Sequence, residues 1–137
     1  MKEIIAFLGQ SPAFHVGTVD ENNIPRVRPF SLVFEWEGKL TFGTNTDKKV
    51  YKQLQNNSYV EISSFSPVTG EWMRISGKVK LFQNVEANKR IFEVMPELKK
   101  MYESELNPVM VCFSIEKGQA AYYSFTSMNE PYKVLEL

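Results

Sequence analysis

Residues 72–81 read Trp72-Met73-Arg74-Ile75-Ser76-Gly77-Lys78-Val79-Lys80-Leu81. Apolar and polar side chains alternate along this segment. Met73, Ile75 and Val79 fall on one face, whereas Arg74 and Lys78 fall on the other. A period of two residues is typical of a β-strand with one face in the core and the other in water. The segment therefore predicts a sheet that buries one of its faces.

Segments before and after this strand have the same extended character. Strands are predicted at residues 13–19, 25–36, 40–44, 59–65, 109–115 and 119–125, and the tail 132–137 is a candidate for a last strand. Glu37-Gly38-Lys39 and Glu116-Lys117-Gly118 each predict a hairpin turn. Strands joined by so short a turn are expected to be antiparallel neighbours.

Helical periodicity is confined to three short segments, at residues 2–9, 48–55 and 85–104. The third carries an apolar stripe, and Pro96 predicts a break or a kink within it. The stripe consists of Ile91, Met95, Leu98 and Tyr102. Six to seven strands with only short helices predict one mainly β domain over residues 1–137. We expect a closed antiparallel barrel with helical insertions.

The composition argues against several classes of protein. Sixteen Lys and Arg balance sixteen Asp and Glu, which does not favour a nucleic-acid partner. One Cys (Cys112) and one His (His15) cannot form a disulfide framework or a Cys/His zinc site in one chain. No 18-residue apolar run or signal-peptide pattern occurs. We therefore expect a cytoplasmic protein without a membrane partner, and chemistry supplied by a bound group.

The segment from Pro25 to Ser31 is the first candidate for ligand binding. Pro25 and Pro29 mark an edge or an irregular strand, because proline cannot donate to a sheet ladder. Arg28 supplies a planar, permanently charged fork suited to phosphate. The alternative is that Arg26 and Arg28 are solvated edge residues that prevent aggregation. Composition alone favours that alternative.

The segment from Thr44 to Val50 is the second candidate. A strand ends there, and the next helix begins with Lys48 and Lys49. Lysines in the first turn of a helix interact unfavourably with the helix dipole. An anion bound at that helix N-terminus would make their positive charge favourable. The alternative is two exposed lysines tolerated at a small cost.

The third candidate is the pair Trp72 and Arg74 on the polar face of its strand. An outward Trp beside an Arg suits stacking on a planar ligand or packing at a subunit interface. A Trp covered by a loop is the alternative. His15 and Cys112 are expected to be structural, the latter as a core thiol.

Two passages resemble the pyridoxamine 5′-phosphate oxidase-like family of FMN-binding split barrels. The first is Arg28-Pro29-Phe30-Ser31-Leu32-Val33. The second is Phe42-Gly43-Thr44-Asn45-Thr46-Asp47-Lys48-Lys49, which runs into Gln53-Leu54-Gln55-Asn56-Asn57. The resemblance covers roughly residues 12–82. It implies a Greek-key-like antiparallel split β-barrel and FMN as the cofactor, in a homodimer with flavin sites at the subunit interface.

The resemblance also implies roles for particular residues. In the family, the first passage lines the flavin and its leading Arg reaches the phosphate, as does the basic pair that opens the helix. Trp72 falls where the family places a flavin-contacting side chain from the partner subunit. The implied FMN-binding residues are Arg28, Pro29, Phe30, Ser31, Thr44, Asn45, Lys48, Lys49 and Trp72.

One family feature is absent. The vitamin oxidases carry an Arg-x-His motif near the C-terminus, whereas the tail here reads Asn129-Glu130-Pro131-Tyr132-Lys133-Val134. We therefore do not expect oxidation of pyridoxamine 5′-phosphate. The chain is more similar to small members of the superfamily, including nitroimidazole-reductase-like proteins.

Three functional hypotheses follow from the resemblance. One is an FMN-dependent oxidoreductase that acts on a small molecule. Another is a non-catalytic module that holds flavin, deazaflavin or haem. The third is a barrel that merely dimerises and binds no small molecule.

Overall fold

A computed structural model describes residues 1–137, which form eight strands and four short helices. In chain order the elements are α1 (Lys2–Leu8), β1 (Phe14–Val19), β2 (Pro25–Phe30), β3 (Val33–Trp36), β4 (Lys39–Asn45), α2 (Lys49–Asn56), β5 (Tyr59–Phe65), β6 (Trp72–Phe82), α3 (Val85–Val94), α4 (Leu98–Tyr102), β7 (Met110–Tyr123) and β8 (Lys133–Glu136). None of the helices combines the length and the apolarity needed to span a membrane.

All strand pairs are antiparallel, in the order β2-β1-β5-β6-β7-β4-β3, and β8 also pairs with β7. The long strand β7 pairs with β6 along one edge. Its other edge pairs with β4 near Met110 and with β8 near Tyr122. No ladder joins β2 to β3, the two ends of this order. The fold is the expected split barrel, and the closed barrel expected from the strand count is wrong.

The predicted hairpin between β3 and β4 is confirmed. Glu37 and Gly38 both have positive φ angles, 50° and 76°. A two-residue hairpin of type I′ requires that conformation at both central positions. The single extended segment predicted at 25–36 is instead two strands, because the chain leaves the sheet at Ser31 and Leu32.

The second predicted hairpin is wrong. Residues 116–118 lie within the continuous strand β7, and the β6–β7 register shifts between Lys78 and Val79, which marks a β-bulge. Gly77 faces Gly118 there. A Cβ on Gly118 would lie 2.2 Å from the carbonyl oxygen of Ser76. The glycine therefore permits two backbones to approach rather than a chain reversal.

The apolar residues form two clusters. The larger fills the barrel, where the rings of Phe42 and Phe113 stack with centroids 5.1 Å apart. The smaller lies under α3 and α4, which Pro96 separates as predicted. It contains Cys112, and burial raises the pKa of that thiol to about 12. Cys112 therefore stays protonated near neutral pH and packs as an apolar side chain.

Candidate functional site

A cavity of about 150 Å³ opens where β2 breaks off. Eight of its 13 lining residues are hydrophobic. Its walls come from the β2–β3 break, the end of β4, the start of α2, and the two helices α3 and α4. The lining residues are Pro29, Phe30, Ser31, Leu32, Gly43, Thr44, Lys48, Ile91, Met95, Leu98, Met101, Tyr102 and Met110. Five of the nine predicted FMN-binding residues are among them.

The sequence explains why the cavity forms at this place. Pro29 lacks an N–H, and β2 ends one residue later at Phe30, whose side chain is buried. Ser31 and Leu32 then have no ladder partner. The short helices α3 and α4 cover the gap with side chains of the apolar stripe. The result is an opening with irregular backbone on one side and flexible Met side chains on the other.

Thr44 is the buried polar residue of the cavity wall whose side chain has no hydrogen-bond partner in the protein. It is 6% exposed, and its Oγ1 has no hydrogen-bond partner. Leaving a buried hydroxyl unpaired costs about 1–3 kcal/mol. Such a group in a cavity wall fits a ligand that presents a polar atom to it, as the edge of a flavin ring does.

Asn45 does not line the cavity. Its Nδ2 donates to Tyr102 Oη at 2.9 Å, and its Oδ1 accepts from the backbone N–H of Asp47 at 3.1 Å. The side chain therefore fixes the turn before α2 and holds α4 against the end of β4. It shapes the cavity through Tyr102.

A basic groove lies next to the cavity. Its lining residues are Asp20, Glu21, Arg26, Val27, Arg28, Lys49, Lys52 and Gln53. Arg26 binds Asp20 with an Nε–Oδ2 distance of 2.9 Å. Arg28, Lys49 and Lys52 form no ion pair. The groove thus holds three cations that no carboxylate neutralises.

Arg28 is held by neutral acceptors. Its Nη1 donates to Val16 O at 3.0 Å and to Thr18 Oγ1 at 2.8 Å. Its Nη2 donates to Gln53 Oε1 at 2.7 Å. Burial lowers the pKa of this guanidinium, although it remains charged at any physiological pH. A half-buried cation with only neutral partners fits an oxyanion.

The cavity and the groove are neighbours along the chain. Arg28 lines the groove and Pro29 the cavity, while Lys48 lines the cavity and Lys49 the groove. Lys48 is the N-cap of the eight-residue helix α2, and no side chain caps that terminus. An apolar chamber beside a basic one matches a planar ring that carries a phosphate.

Trp72 is not among the residues that line the cavity. The register of β2, β1, β5 and β6 places Pro29 of the cavity wall in one row with Arg74, two residues from Trp72. Three strand spacings separate the two ends of this row, about 15 Å at about 4.8 Å each. The Trp72 ring stacks on Tyr123 with centroids 5.8 Å apart and an interplanar angle of 7°. Within one chain, Trp72 is therefore engaged by Tyr123, and β1 and β5 lie between it and the cavity wall.

The cavity lining contains no His, Cys, Asp or Glu. His15 is exposed on the sheet, opposite Pro29. No three His, Cys, Asp or Glu side chains come together in a way that would hold a metal ion. The cavity is suited to binding and shielding a ring rather than to proton transfer by a carboxylate or an imidazole.

The sequence pattern did not indicate two groups of residues at this site. Thr18 and Gln53 hold Arg28, and the only signal was an amide in the row of buried side chains of α2. The stripe of α3 and α4 was recognised as apolar, but its spacing predicts a core contact equally well. In the structure Ile91 belongs to both the core cluster and the cavity wall.

Comparison with known proteins agrees with this geometry. The sequence model of the pyridoxamine 5′-phosphate oxidase family matches residues 1–122. No match was found among curated proteins. A NimC/NimA family protein from Clostridium acetobutylicum has a solved structure that is 34% identical with a TM-score of 0.88. That match covers 100% of this chain and 93% of the other.

Two further solved structures are similar in fold. A pyridoxamine 5′-phosphate oxidase-related, FMN-binding protein from Nostoc punctiforme PCC 73102 is 12% identical, with a TM-score of 0.60 over 99% of this chain and 95% of that one. An F420 reductase is 19% identical, with a TM-score of 0.58 over 80% of this chain and 89% of that one.

Proposed function

Because the chain belongs to the pyridoxamine 5′-phosphate oxidase family, we propose that it is an FMN-binding flavoprotein. The observation that carries the proposal is the apolar cavity with its unpaired Thr44 hydroxyl, placed beside the basic groove. FMN has the matching parts, a planar ring with polar edges and a dianionic phosphate. A solved relative described as FMN-binding has the same fold.

The cavity takes the ring in this proposal. Pro29, Phe30 and Ser31 line one side of it, and Thr44 offers its hydroxyl to a polar edge. The groove takes the phosphate, with Arg28 and Lys49 as its cationic partners. Lys48 stands between the two chambers, and Asn45 acts indirectly by fixing Tyr102.

We assign an FMN-dependent oxidoreductase activity on a small molecule. Bound flavin would supply the transfer of hydride or single electrons. The residues of this chain bind the ring, orient it and exclude water from its apolar side. The cavity has few polar side chains, which is consistent with a reaction carried out by the cofactor. The cytoplasmic location stays a prediction.

A homodimer completes the site in this proposal, with Trp72 of the partner subunit beside the ring. Its support is the outer face of the sheet, which carries the exposed apolar side chains of Val27 and Tyr59 together with the ion pair of Glu61 and Arg74. Interfaces between two subunits commonly mix apolar and polar groups in this way. Trp72 lies on this same outer face.

Titration of the purified chain with FMN tests the proposal. We expect micromolar or tighter binding, and a loss of at least about a hundredfold in the R28A/K49A double variant, since each of the two hydrogen bonds to a charged group contributes about 1.5–3 kcal/mol. Lys89→Ala is the matched control, because Lys89 pairs with Glu86 on the surface of α3. A wild-type chain that binds no FMN at micromolar concentrations contradicts the proposal.

A non-catalytic module is the second candidate, favoured by the lack of acid, imidazole and thiol groups in the cavity. Anaerobic addition of NADH or NADPH to the flavin-loaded chain separates the two. Bleaching of the flavin band, followed by reoxidation with a small acceptor, supports the oxidoreductase. Parallel titrations with a deazaflavin and with haem test the other ligands of such a module. Haem is the weaker of these, because His15 lies outside the cavity.

A further inference from the structure

We propose that Gln53 is a positioning residue that presets Arg28 as a receptor for the phosphate group, by holding the guanidinium without neutralising it. The inference rests on the proposed function, because it concerns the phosphate end of the same ligand. It assigns a role to a buried residue of α2 that lines the groove and not the cavity.

The hydrogen bonds of Arg28 leave one edge of its guanidinium free. Nη1 uses both of its hydrogens, on Val16 O and Thr18 Oγ1, and Nη2 uses one, on Gln53 Oε1. Thr18 and Gln53 share the far end of the group, since Thr18 Oγ1 also donates to Gln53 Oε1 at 2.6 Å. The unused donors are then Nε–H and the second Nη2–H, which point the same way. This pair is the fork that binds two oxygens of a phosphate at once.

The acceptor at position 53 is an amide, and that choice preserves the charge of Arg28. The carboxylates of the groove are Asp20 and Glu21. Asp20 is occupied by Arg26 and by the backbone N–H groups of Asn22 and Ile24. Glu21 makes no contact with Arg28 within ion-pair distance. A carboxylate at position 53 would hold the guanidinium as well, but it would cancel the charge that an incoming phosphate needs.

Gln53 also couples the two cationic elements of the groove. Gln53 lies in α2, and it is only 7% exposed. Lys49 is the first residue of the same helix. Its contact with Arg28 joins α2 to β2, so Lys49 and Arg28 are held at a fixed separation. One amide therefore sets both the direction of the Arg28 fork and its distance from the helix N-terminus.

The test compares FMN with riboflavin, which has the same ring and no phosphate. Gln53→Glu keeps the shape and the hydrogen bonds of the side chain while adding a charge beside Arg28. We expect FMN affinity to fall at least tenfold and riboflavin affinity to stay within about twofold, so that the preference for FMN is lost. Gln55→Glu is the matched control, because it adds the same charge to the exposed face of α2. It is expected to keep the preference.

A second measurement uses inorganic phosphate and does not depend on flavin. Phosphate is expected to raise the Tm of the wild-type chain and of Gln55→Glu, and to leave the Tm of Gln53→Glu unchanged. Gln53→Met, which removes the acceptor at similar volume, guards against misfolding of the glutamate variant and is expected to lose the phosphate effect too.

The outcomes separate the two proposals. If the Gln53 variants keep the wild-type preference for FMN and the wild-type phosphate shift, the positioning role is wrong while the proposed function stands. If the wild type binds neither flavin but shows a phosphate shift that Gln53→Glu abolishes, the proposed function fails and the positioning role stands.

Discussion

Two buried threonines of β4 differ in the hydrogen bonding of their hydroxyl groups. Thr41 Oγ1 lies 2.6 Å from Ser114 Oγ on the neighbouring strand, whereas Thr44 Oγ1 has no partner. Both residues are almost inaccessible to water. Thr44 is the one of the two that lines the cavity, so the proposed ligand is the partner that its hydroxyl lacks within the fold.

Thr44→Val should therefore separate stability from binding. Removing an unpaired hydroxyl at constant shape is expected to leave the free energy of unfolding unchanged or to raise it by up to about 1 kcal/mol. FMN affinity is expected to fall about two- to tenfold, the worth of one neutral hydrogen bond. Chemical denaturation and a flavin titration measure the two quantities.

Thr41→Val is the matched control for this variant. It leaves the buried Ser114 hydroxyl unpaired, so it is expected to lower stability by about 1–3 kcal/mol and to leave FMN affinity unchanged. If Thr44→Val destabilises the protein as much as Thr41→Val and binds FMN normally, the Thr44 hydroxyl has no part in the flavin site.

The residues of the site differ in how far their roles could be predicted from the sequence. Arg28 and Lys49 stood out because proline neighbours and a helix start are local signals. The partners of Arg28 did not, because Thr18 and Gln53 meet it only through the folding of β1 and α2 around β2. Asn45 was predicted to bind the cofactor, but its side chain is engaged by Tyr102, 57 positions away.

At the scale of elements, the pairing of β6 with β7 depends on two glycines, because neither has a side chain that would hold the two backbones apart. A Cβ on Gly77 would lie 2.7 Å from Lys117 O, and one on Gly118 would lie 2.2 Å from Ser76 O. Backbone atoms of a central ladder cannot move aside as a flexible side chain does. This close approach is where β7 bends between its β4 half and its β8 half.

Gly118→Ala is expected to destabilise the fold strongly. Insertion of one methyl group must push β6 and β7 apart, and we expect a loss of about 2–4 kcal/mol in the free energy of unfolding, the range of severe packing defects. Gly9→Ala is the control, since its Cβ would meet only ordinary contacts at 3.5 and 3.6 Å and its φ is −76°. Equal stability of the two variants in guanidinium would contradict the close-approach role.

The same glycine shows why some elements were predictable and others were not. The bounds of β5 agree with its alternation of buried and exposed residues, a pattern that sequence displays directly. Glu116-Lys117-Gly118 has turn composition, and a turn and a bulge both use glycine. What distinguishes them is the partner strand: β6 continues past the bulge and keeps pairing with β7. The break between α3 and α4 was predictable because proline acts locally.

At the scale of the molecule, the proposed flavin site extends beyond one chain, because Trp72 does not line the cavity of its own chain. A single chain encloses the cavity only partly and holds Trp72 in an aromatic cluster with Tyr123 and Phe125, with β1 and β5 between this cluster and Pro29 of the cavity wall. The proposed homodimer joins these two places, which a sequence can indicate only through its family. FMN binding and dimerisation should then be linked.

Val27→Glu tests that linkage. Val27 is 69% exposed in one chain and lies on the outer face of the sheet opposite Gly17, so a charge there costs the isolated fold little. In a dimer through this face the charge would be buried against a second copy without a partner. We expect light scattering to report twice the mass of one chain for the wild type and a shift towards the monomer for the variant. FMN affinity is expected to fall in parallel. Because Val27 lines the basic groove, Val27→Lys is measured beside it: a cation there would by itself favour the phosphate, so a loss of FMN affinity in both variants reports the loss of the dimer. Val85→Glu, which places the same charge at the start of α3, should stay dimeric and bind FMN normally. A monomeric Val27→Glu variant with full FMN affinity would mean that one chain suffices for the flavin site.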